Sequence, residues 1–220
     1  MSATQRLVDG FVDRDYEAVE QAILDGADVN YIDEKQESML MKAVVRGYPD
    51  IVKMLVASPE IQMDHLDLNG NNACLLAAEI GNVKVLEQLR GSDIHQRNNS
   101  GLTAIMVASR GGYTQCIKQL LDWGANINER DEKGNASLTF AAMENKGDAI
   151  EMLLERGSDS NGKDIFGYTP LMYAINRNAT EAVRVLSIYK HININQRNNN
   201  MDTALQVAVL KGNPLVVFYI

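Results

Sequence analysis

The sequence predicts an all-α solenoid of stacked helix-turn-helix units. Three observations lead to this fold class: a repeat of about 33 residues, a helix-ending residue at a fixed place in each repeat, and an apolar second helix after it. A period of 20–50 residues is typical of arrays in which each unit buries its apolar face against its neighbours. We therefore expect a linear array and not a closed globule.

A Thr-like anchor residue sets the period. The segment 101–108 aligns with 167–174, and both carry a Gly-x-Thr start followed by an apolar run. The anchors recur with spacings of 34, 31, 33, 33 and 34 residues. They are Ser38, Asn72, Thr103, Ala136, Thr169 and Thr203. This regularity indicates units of one kind along the chain.

The first helix of each unit is predicted to end nine residues after its anchor. Gly or Asn stands there, and both tolerate the left-handed conformation of a helix C-cap. The residues are Gly47, Gly81, Gly112, Asn145, Asn178 and Gly212. An amphipathic second helix follows, with apolar residues at helical spacing, and then a turn such as 26–30 or 124–128. Each unit is thus expected to run helix, turn, helix, hairpin.

An Asp or Asn five residues before each anchor is taken as the start of a unit. The predicted units are 1–32, 33–66, 67–97, 98–130, 131–163, 164–197 and 198–220. The first is expected to be an N-terminal cap, and the third is shortened around Arg90. The last stops midway through its second helix, in the apolar run 215–220. Because a bare apolar end favours aggregation, we expect either a longer protein or a partner that covers this end.

These features resemble the ankyrin-repeat family over essentially the whole chain. The start of that family's repeat is Thr-Pro-Leu-His-like, as in 169–172, and its end is Gly-Ala-Asp-Val-Asn-like, as in 26–30. The resemblance implies an ankyrin-repeat solenoid with short β-hairpin or loop fingers and a concave groove for partners. This chain departs from the family at the His of the Thr-Pro-Leu-His-like start, which is replaced in all six repeats. We therefore expect the stacking of repeats to depend more on apolar contacts. The replacements of that His are Met41, Leu75, Met106, Thr139, Met172 and Gln206.

Composition and charge argue against several classes of function. The formal net charge is −8, which repels phosphate backbones and anionic lipids, so neither nucleic acid nor a membrane is expected as a partner. Cys74 and Cys116 lie in apolar helical patterns and are expected to be reduced and buried. We expect a cytoplasmic protein, with a bacterial effector delivered into a host cell as the alternative. A monomer is expected unless the apolar C-terminal helix self-associates.

No catalytic residue, cofactor or metal site is expected. His65, His95 and His191 each fall near a turn, about one to a repeat, and the known catalytic and metal-binding motifs are missing. The resemblance implies a structural role for the turn asparagines Asn30, Asn128 and Asn161, which would hydrogen-bond the hairpins. The chain is therefore not expected to be an enzyme.

A basic stripe is the first candidate binding surface. We define it as Arg97, Arg130, Lys163 and Arg197, which occupy the position six residues before successive anchors. Arg offers two parallel donors to a carboxylate or a phosphorylated side chain, so the stripe favours an acidic or phosphorylated partner. The alternative is a solvated row that is partly neutralised by Glu129, Asp131 and Glu132.

An apolar finger is the second candidate. Ile165, Phe166 and Tyr168 occupy tip positions that are usually polar, and exposed aromatic residues near Arg are typical of interface anchors. The alternative is that these side chains pack against the adjacent finger. A weaker apolar finger and three positions on the first helices complete the candidates. These residues are Leu66, Leu68, Arg110, Met143 and Arg177.

The sequence favours a non-catalytic scaffold or adaptor that binds a protein or linear peptide in its concave groove. Two alternatives stay open. One is a regulatory or targeting region of a longer multidomain enzyme or effector, with the catalytic domain beyond residue 220. The other is a structural role through self-association of the C-terminal helix.

Overall fold

A computed structural model describes residues 1–212 of the chain. The apolar run 215–220 and the unfinished second helix that we expect there lie outside the described residues. The chain divides into two compact units, Met1–Asn99 and Ser100–Ile220. Within residues 1–212 there are thirteen helices, and pairing between extended segments is limited to isolated bridges such as Ile32 with Ser38. The all-α fold class is therefore confirmed.

The first unit is a stack of three helix pairs. The pairs are α1 (Ala3–Asp13) with α2 (Tyr16–Leu24), α3 (Met39–Val45) with α4 (Pro49–Val56), and α5 (Ala73–Ile80) with α6 (Val83–Gln88). The first helices α3 and α5 pack side by side, as do the second helices α2, α4 and α6. The members of each pair therefore contact each other, and the second helices of all three pairs form one continuous row.

The second unit repeats this arrangement. Its helices are α7 (Ala104–Gly111), α8 (Thr114–Asp122), α9 (Ser137–Met143), α10 (Gly147–Glu155), α11 (Pro170–Asn176), α12 (Thr180–Ser187) and α13 (Ala204–Lys211). The first helices α7, α9, α11 and α13 form one layer, and the second helices α8, α10 and α12 form the other. The core lies between these two layers.

The anchors are the N-caps of the first helices. The side chains of Ser38 and Asn72 accept hydrogen bonds from the backbone N–H groups three residues later, at 3.2 and 2.9 Å. Thr169 and Thr203 do the same in the second unit, at 3.3 and 3.4 Å. A cap of this kind satisfies a backbone donor that has no partner inside the helix. The period seen in the sequence is thus a period of helix starts.

The predicted helix ends are also confirmed. All six Gly or Asn residues at that position have a positive φ, between 55° at Asn178 and 79° at Gly112. In four repeats, the residue that replaces the family's His is buried. Met41, Leu75, Met106 and Met172 are each at most 2% exposed, which supports stacking of the repeats by apolar contact.

Two elements depart from the common length. Helix α6 has six residues, whereas the other second helices have eight or nine, which agrees with the two residues missing around Arg90. Helix α1 has eleven residues, and its C-cap is Arg14, whose φ is 56°. The boundaries of the repeat units themselves stay predictions.

Candidate protein-binding surface

In at least five of the six fingers, the side chain of the first residue closes the turn. We call a finger the six residues that end at an anchor, as in 164–169. In that finger Asp164 Oδ1 accepts hydrogen bonds from the N–H groups of Phe166 and Tyr168, at 3.0 and 2.7 Å. The same pair of bonds occurs at four other fingers, which begin at Asp33, Asp67, Asp131 and Asn198. The Asp or Asn that marks each unit is therefore a turn-former.

The fourth residue of every finger is left-handed. Four of the six are Gly, while Gln36 has φ 61° and Met201 has φ 68°. Space is as important as conformation at Gly167, because a Cβ there would lie 2.6 Å from Asn199 Oδ1 of the next finger. Glycine thus lets successive fingers approach closely.

Backbone hydrogen bonds join successive fingers within each unit. In the second unit, Ile165 N–H donates to Lys133 O at 2.9 Å, and Asn199 N–H donates to Phe166 O at 3.0 Å. Asn199 Nδ2 also donates to Ile165 O at 2.9 Å. In the first unit, Asn99 makes the equivalent bond from Nδ2 to Leu68 O at 3.0 Å. The tips are therefore held at their backbone on both sides.

The turn asparagines bind the following loop, as the resemblance implied. Asn161 Nδ2 donates to His191 O at 2.8 Å, and its Oδ1 accepts from Asn193 N–H at 2.7 Å. Asn30 makes the same two contacts in the first unit, and Asn128 Oδ1 accepts from Asp159 N–H at 2.8 Å. These asparagines fix the spacing of consecutive turns.

Much of the basic stripe hydrogen-bonds to the backbone of the fingers. Arg130 Nη1 donates to Gly134 O and to Lys163 O, both at 2.7 Å, and its Nη2 lies 3.6 Å from Asp159 Oδ2. Lys163 Nζ donates to Arg197 O at 2.9 Å, and Arg197 Nη1 donates to Met201 O at 2.8 Å. These three side chains thus help to hold finger backbones in place. Arg97, in the first unit, is exposed.

The apolar finger is partly exposed and partly packed. Ile165 and Phe166 are 58% and 56% exposed. Tyr168 is half-buried, and its ring centroid lies 5.3 Å from that of Tyr173. Tyr173 Oη donates to Asp164 Oδ2 at 2.6 Å. Burial and then this bond raise the pKa of Tyr173 far above its ordinary value, so the phenol stays a donor. Packing therefore accounts for Tyr168, whereas Ile165 and Phe166 face solvent.

The remaining candidates are divided between the two units. In the first unit Leu66 and Leu68 are exposed. In the second unit Arg110 and Met143 are half-buried in the last turns of α7 and α9, and Arg177 is exposed at the C-cap of α11.

A row of stacked side chains in the first unit was not predicted from the sequence. Arg14 lies over the ring of Tyr48, Tyr48 contacts Phe11 edge to face, and Arg46 lies over Phe11. This contact joins residues of different predicted units, so no repeat period reveals it. The available signal was Arg14 itself, which stands where the other first helices end in Gly or Asn.

The histidines make local contacts. His65 Nε2 lies 2.9 Å from Gln36 O, and the His191 ring packs against Tyr189. Within residues 1–212, no group of three or more His, Cys, Asp or Glu side chains is arranged to hold a metal ion. No helix in this part of the chain combines the length and apolar character needed to cross a membrane.

Comparison with known proteins agrees with this architecture. The family model described as "Ankyrin repeats (3 copies)" matches residues 11–98, 74–164 and 138–220. Human ankyrin repeat domain-containing protein 63 is 35% identical over 109 residues, which are 45% of this chain and 28% of the human protein. The mouse protein of the same name is also 35% identical over 109 residues, which are 45% of this chain and 27% of that protein. The chain thus spans less than a third of these relatives.

Two solved structures share the fold over nearly the full chain. The ankyrin repeat domain of Bcl-3, described as a unique member of the IkappaB protein family, has a TM-score of 0.83 at 26% identity. The match covers 97% of this chain and 96% of the Bcl-3 chain. The ankyrin repeat domain of human ASB11 has a TM-score of 0.82 at 21% identity, with 97% of both chains covered. From its repeats, its fold and the family model that matches it, this chain belongs to the ankyrin-repeat family.

Proposed function

We propose that this array is a non-catalytic scaffold or adaptor that binds a protein or a linear peptide. The ankyrin repeat is a general protein–protein interaction fold, and its members are typically non-catalytic. The observation that carries the proposal is the finger 164–169, where two large apolar side chains are exposed on a backbone held from both sides. The location proposed for this function is the cytoplasm, and the partner is proposed to be acidic or phosphorylated.

The energetics of the finger support this role. Binding is weakened when a loop must be ordered at the moment of association. Ile165 and Phe166 avoid most of this entropic cost of ordering, because their backbone groups already bond to Lys133, Asp164 and Asn199. Exposed apolar residues on a preorganised backbone are suited to be binding hot spots.

The test is affinity capture from the native cell with wild-type protein and with Ile165→Ala/Phe166→Ala. We expect the double variant to keep its helical circular dichroism spectrum and to lose a defined partner, because truncating a hot spot weakens binding by about 2 kcal/mol or more. Ile188→Ala is the control for an exposed Ile, since Ile188 is 69% exposed at the C-cap of α12. Identical partner sets for wild type and the double variant would contradict the proposal.

The other candidate residues are proposed as secondary contacts. The basic stripe (Arg97, Arg130, Lys163, Arg197) supplies a positive field that speeds the approach of an acidic partner. The exposed Leu66, Leu68 and Arg177, together with Arg110 and Met143, add contacts on the fingers and first helices. Replacing Arg97 with Glu should lower the association rate and weaken its dependence on salt. If the association rate does not change, Arg97 is not part of the binding surface.

The alternative is a regulatory or targeting region of a longer enzyme or effector. The observation that favours it is the short matched span, 28% of the human relative. An antibody against this chain should then detect a native protein well above 24.4 kDa. A native band at that mass would contradict the alternative and leave the scaffold proposal unaffected.

A further inference from the structure

We infer that Arg14 and Arg46 form a recognition site for the carboxylates of an acidic linear segment in a partner protein. This inference rests on the proposed function and adds a second surface, in the first unit, with a defined partner chemistry. No residue of this surface belongs to the basic stripe or to the finger 164–169.

The two arginines are fixed by one row of aromatic contacts. The Cζ atom of Arg14 lies 4.5 Å from the ring centroid of Tyr48, and that of Arg46 lies 4.7 Å from the centroid of Phe11. The two rings are 5.8 Å apart at 61°. Because Phe11 is only 2% exposed, the row is anchored in the core. Stacking on a ring restricts the guanidinium before any ligand arrives.

Stacking occupies the faces of the guanidinium groups and leaves their N–H edges for an acceptor. Both arginines are exposed, and within residues 1–212 neither has a carboxylate at ion-pair distance. Two other exposed arginines do have such a partner: Arg6 lies 2.6 Å from Asp25, and Arg156 lies 3.2 Å from Asp122. The preorganised donors of Arg14 and Arg46 are suited to bidentate contact with a carboxylate.

The backbone of Arg14 adds an independent observation. Its φ of 56° is left-handed, and its N–H bonds to the carbonyls of Gly10 and Phe11 at the end of α1. An ordinary residue in this region is strained relative to Gly. Strain of this kind is concentrated at sites that bind ligands. The chain thus keeps a strained Arg at a position where its other first helices have Gly or Asn.

The surroundings match an acidic segment that also carries aliphatic residues. A depression of about 210 Å³ beside Arg46 is lined by Asp33, Lys35, Glu37, Lys42 and Val45. With Arg46 counted, three of these charges are positive and two are negative, and the Lys42–Asp33 pair, at 2.8 Å, neutralises one of each.

An exposed valine stands close to each arginine in the sequence. Val45 is 54% exposed, and Val12, near Arg14, is 63% exposed. Asp13 and Asp15 flank Arg14, so residues 13–15 together carry a net negative charge. A long polyanion such as nucleic acid is therefore disfavoured, whereas two spaced carboxylates with an aliphatic side chain fit.

Fluorescence anisotropy with a defined probe tests the inference. The probe is a fluorescein-labelled peptide of Glu, Leu and Ser residues, and its control carries Gln in place of each Glu. At low salt we expect wild type to bind the Glu peptide about tenfold more tightly than the Gln peptide, a difference that higher salt reduces. Equal binding of the two peptides by wild type would overturn the inference.

The variant Arg14→Gly/Arg46→Gln should lose about tenfold in affinity for the Glu peptide. Its fold should persist, because Gly relieves the left-handed strain while the lost stacking is of similar size; urea unfolding checks this. Arg6→Gln/Arg156→Gln is the matched control, with the same change of charge at paired arginines. An equal loss in the control would also overturn the inference, since it would reveal a general charge effect.

Failure of the inference and failure of the proposed function give different results. If the Glu and Gln peptides bind equally well while native partners still depend on Ile165 and Phe166, only the Arg14–Arg46 site is rejected. If native partners are also indifferent to those two residues, the proposed function is rejected independently.

Discussion

At the residue scale, the fourth position is a source of strain in two fingers, and single substitutions can remove it. Gln36 and Met201 adopt φ values of 61° and 68°, where the other four fingers have Gly. The left-handed conformation costs an ordinary residue about 1–2 kcal/mol, and Gly loses about 0.5–1 kcal/mol through its freer unfolded chain. The first effect is larger.

We predict that Gln36→Gly and Met201→Gly each raise the free energy of unfolding by about 0.5 kcal/mol. The contacts of both residues survive, because His65 and Arg197 bond to their backbone carbonyls. Urea unfolding measures the change. Gly134→Ala is the opposite control and should destabilise, since its φ is 84° and its Cβ would lie 3.1 Å from Asp164 Cα. A loss of stability in both Gly variants would refute this account.

Asp33 connects a finger to the pH dependence of stability. A hydrogen bond from Lys42 is the main cause that lowers the pKa of Asp33 below its ordinary value of 3.8, against a smaller opposing effect of burial. Because the folded-state pKa is lowered, the stabilisation is present above the ordinary pKa. It is lost as pH falls through the ordinary pKa and then the folded-state value.

Asp33→Asn should therefore lower stability by about 0.5–1 kcal/mol at pH 7 and by much less at about pH 2–3. Asn keeps the oxygen that closes the finger, as Asn198 does in its own finger, so the substitution isolates the charge. Thermal unfolding across this pH range provides the measurement. Asp67→Asn is the control, and an equal effect of pH on both variants would exclude the Lys42 interaction as the cause.

At the element scale, Arg130 gives the basic stripe a structural role besides its charge. Its Nη1 bridges the carbonyl of Gly134, in the finger 131–136, and the carbonyl of Lys163, the residue just before the finger 164–169. Arg156 offers a matched comparison, because it is 39% exposed against 38% for Arg130 but pairs only with the surface carboxylate of Asp122 among the bonds described.

We predict that Arg130→Met destabilises the protein by about 1–2 kcal/mol, since two carbonyls lose a charged donor. Arg156→Met should change stability by less than about 0.5 kcal/mol, as is usual for an exposed pair. Chemical denaturation of both variants decides the matter. Similar small losses of stability in both variants would mean that Arg130 contributes surface charge and does not stabilise the fingers.

At the scale of the whole molecule, stability in a repeat array is a sum of local and nearest-neighbour terms. In the second unit α9 packs against α7, α10, α11 and α12, whereas α13 packs against α11 among the described helices. Val209 and Leu210 of α13 are also 64% and 76% exposed. We therefore predict that, in hydrogen exchange, the amides of α9 exchange most slowly within this unit and those of α13 fastest. Uniform protection of both helices would contradict a repeat-wise sum.

The fold could be predicted from the sequence because its determinants recur. Caps such as Ser38, helix ends such as Gly112 and turn-formers such as Asp164 each occupy a fixed place in the period. The candidate sites depend on contacts that do not recur. The backbone partners of Arg130 and the stacking of Arg14 on Tyr48 are set by three-dimensional packing. Residue type alone therefore indicated a basic stripe but not its backbone bonds. For the stacked row it offered only an Arg where the other first helices end in Gly or Asn.

The Asp164 turn has a consequence for how such a surface changes over time. Its shape is encoded by the carboxylate, the glycine and the backbone bonds to both neighbours, none of which involves the side chains of Ile165 or Phe166. Those two positions can therefore be rewritten with little effect on folding. A family built from such turns can acquire new binding preferences by exchanging pairs of tip residues, and the same two positions are where a designer would graft a new specificity.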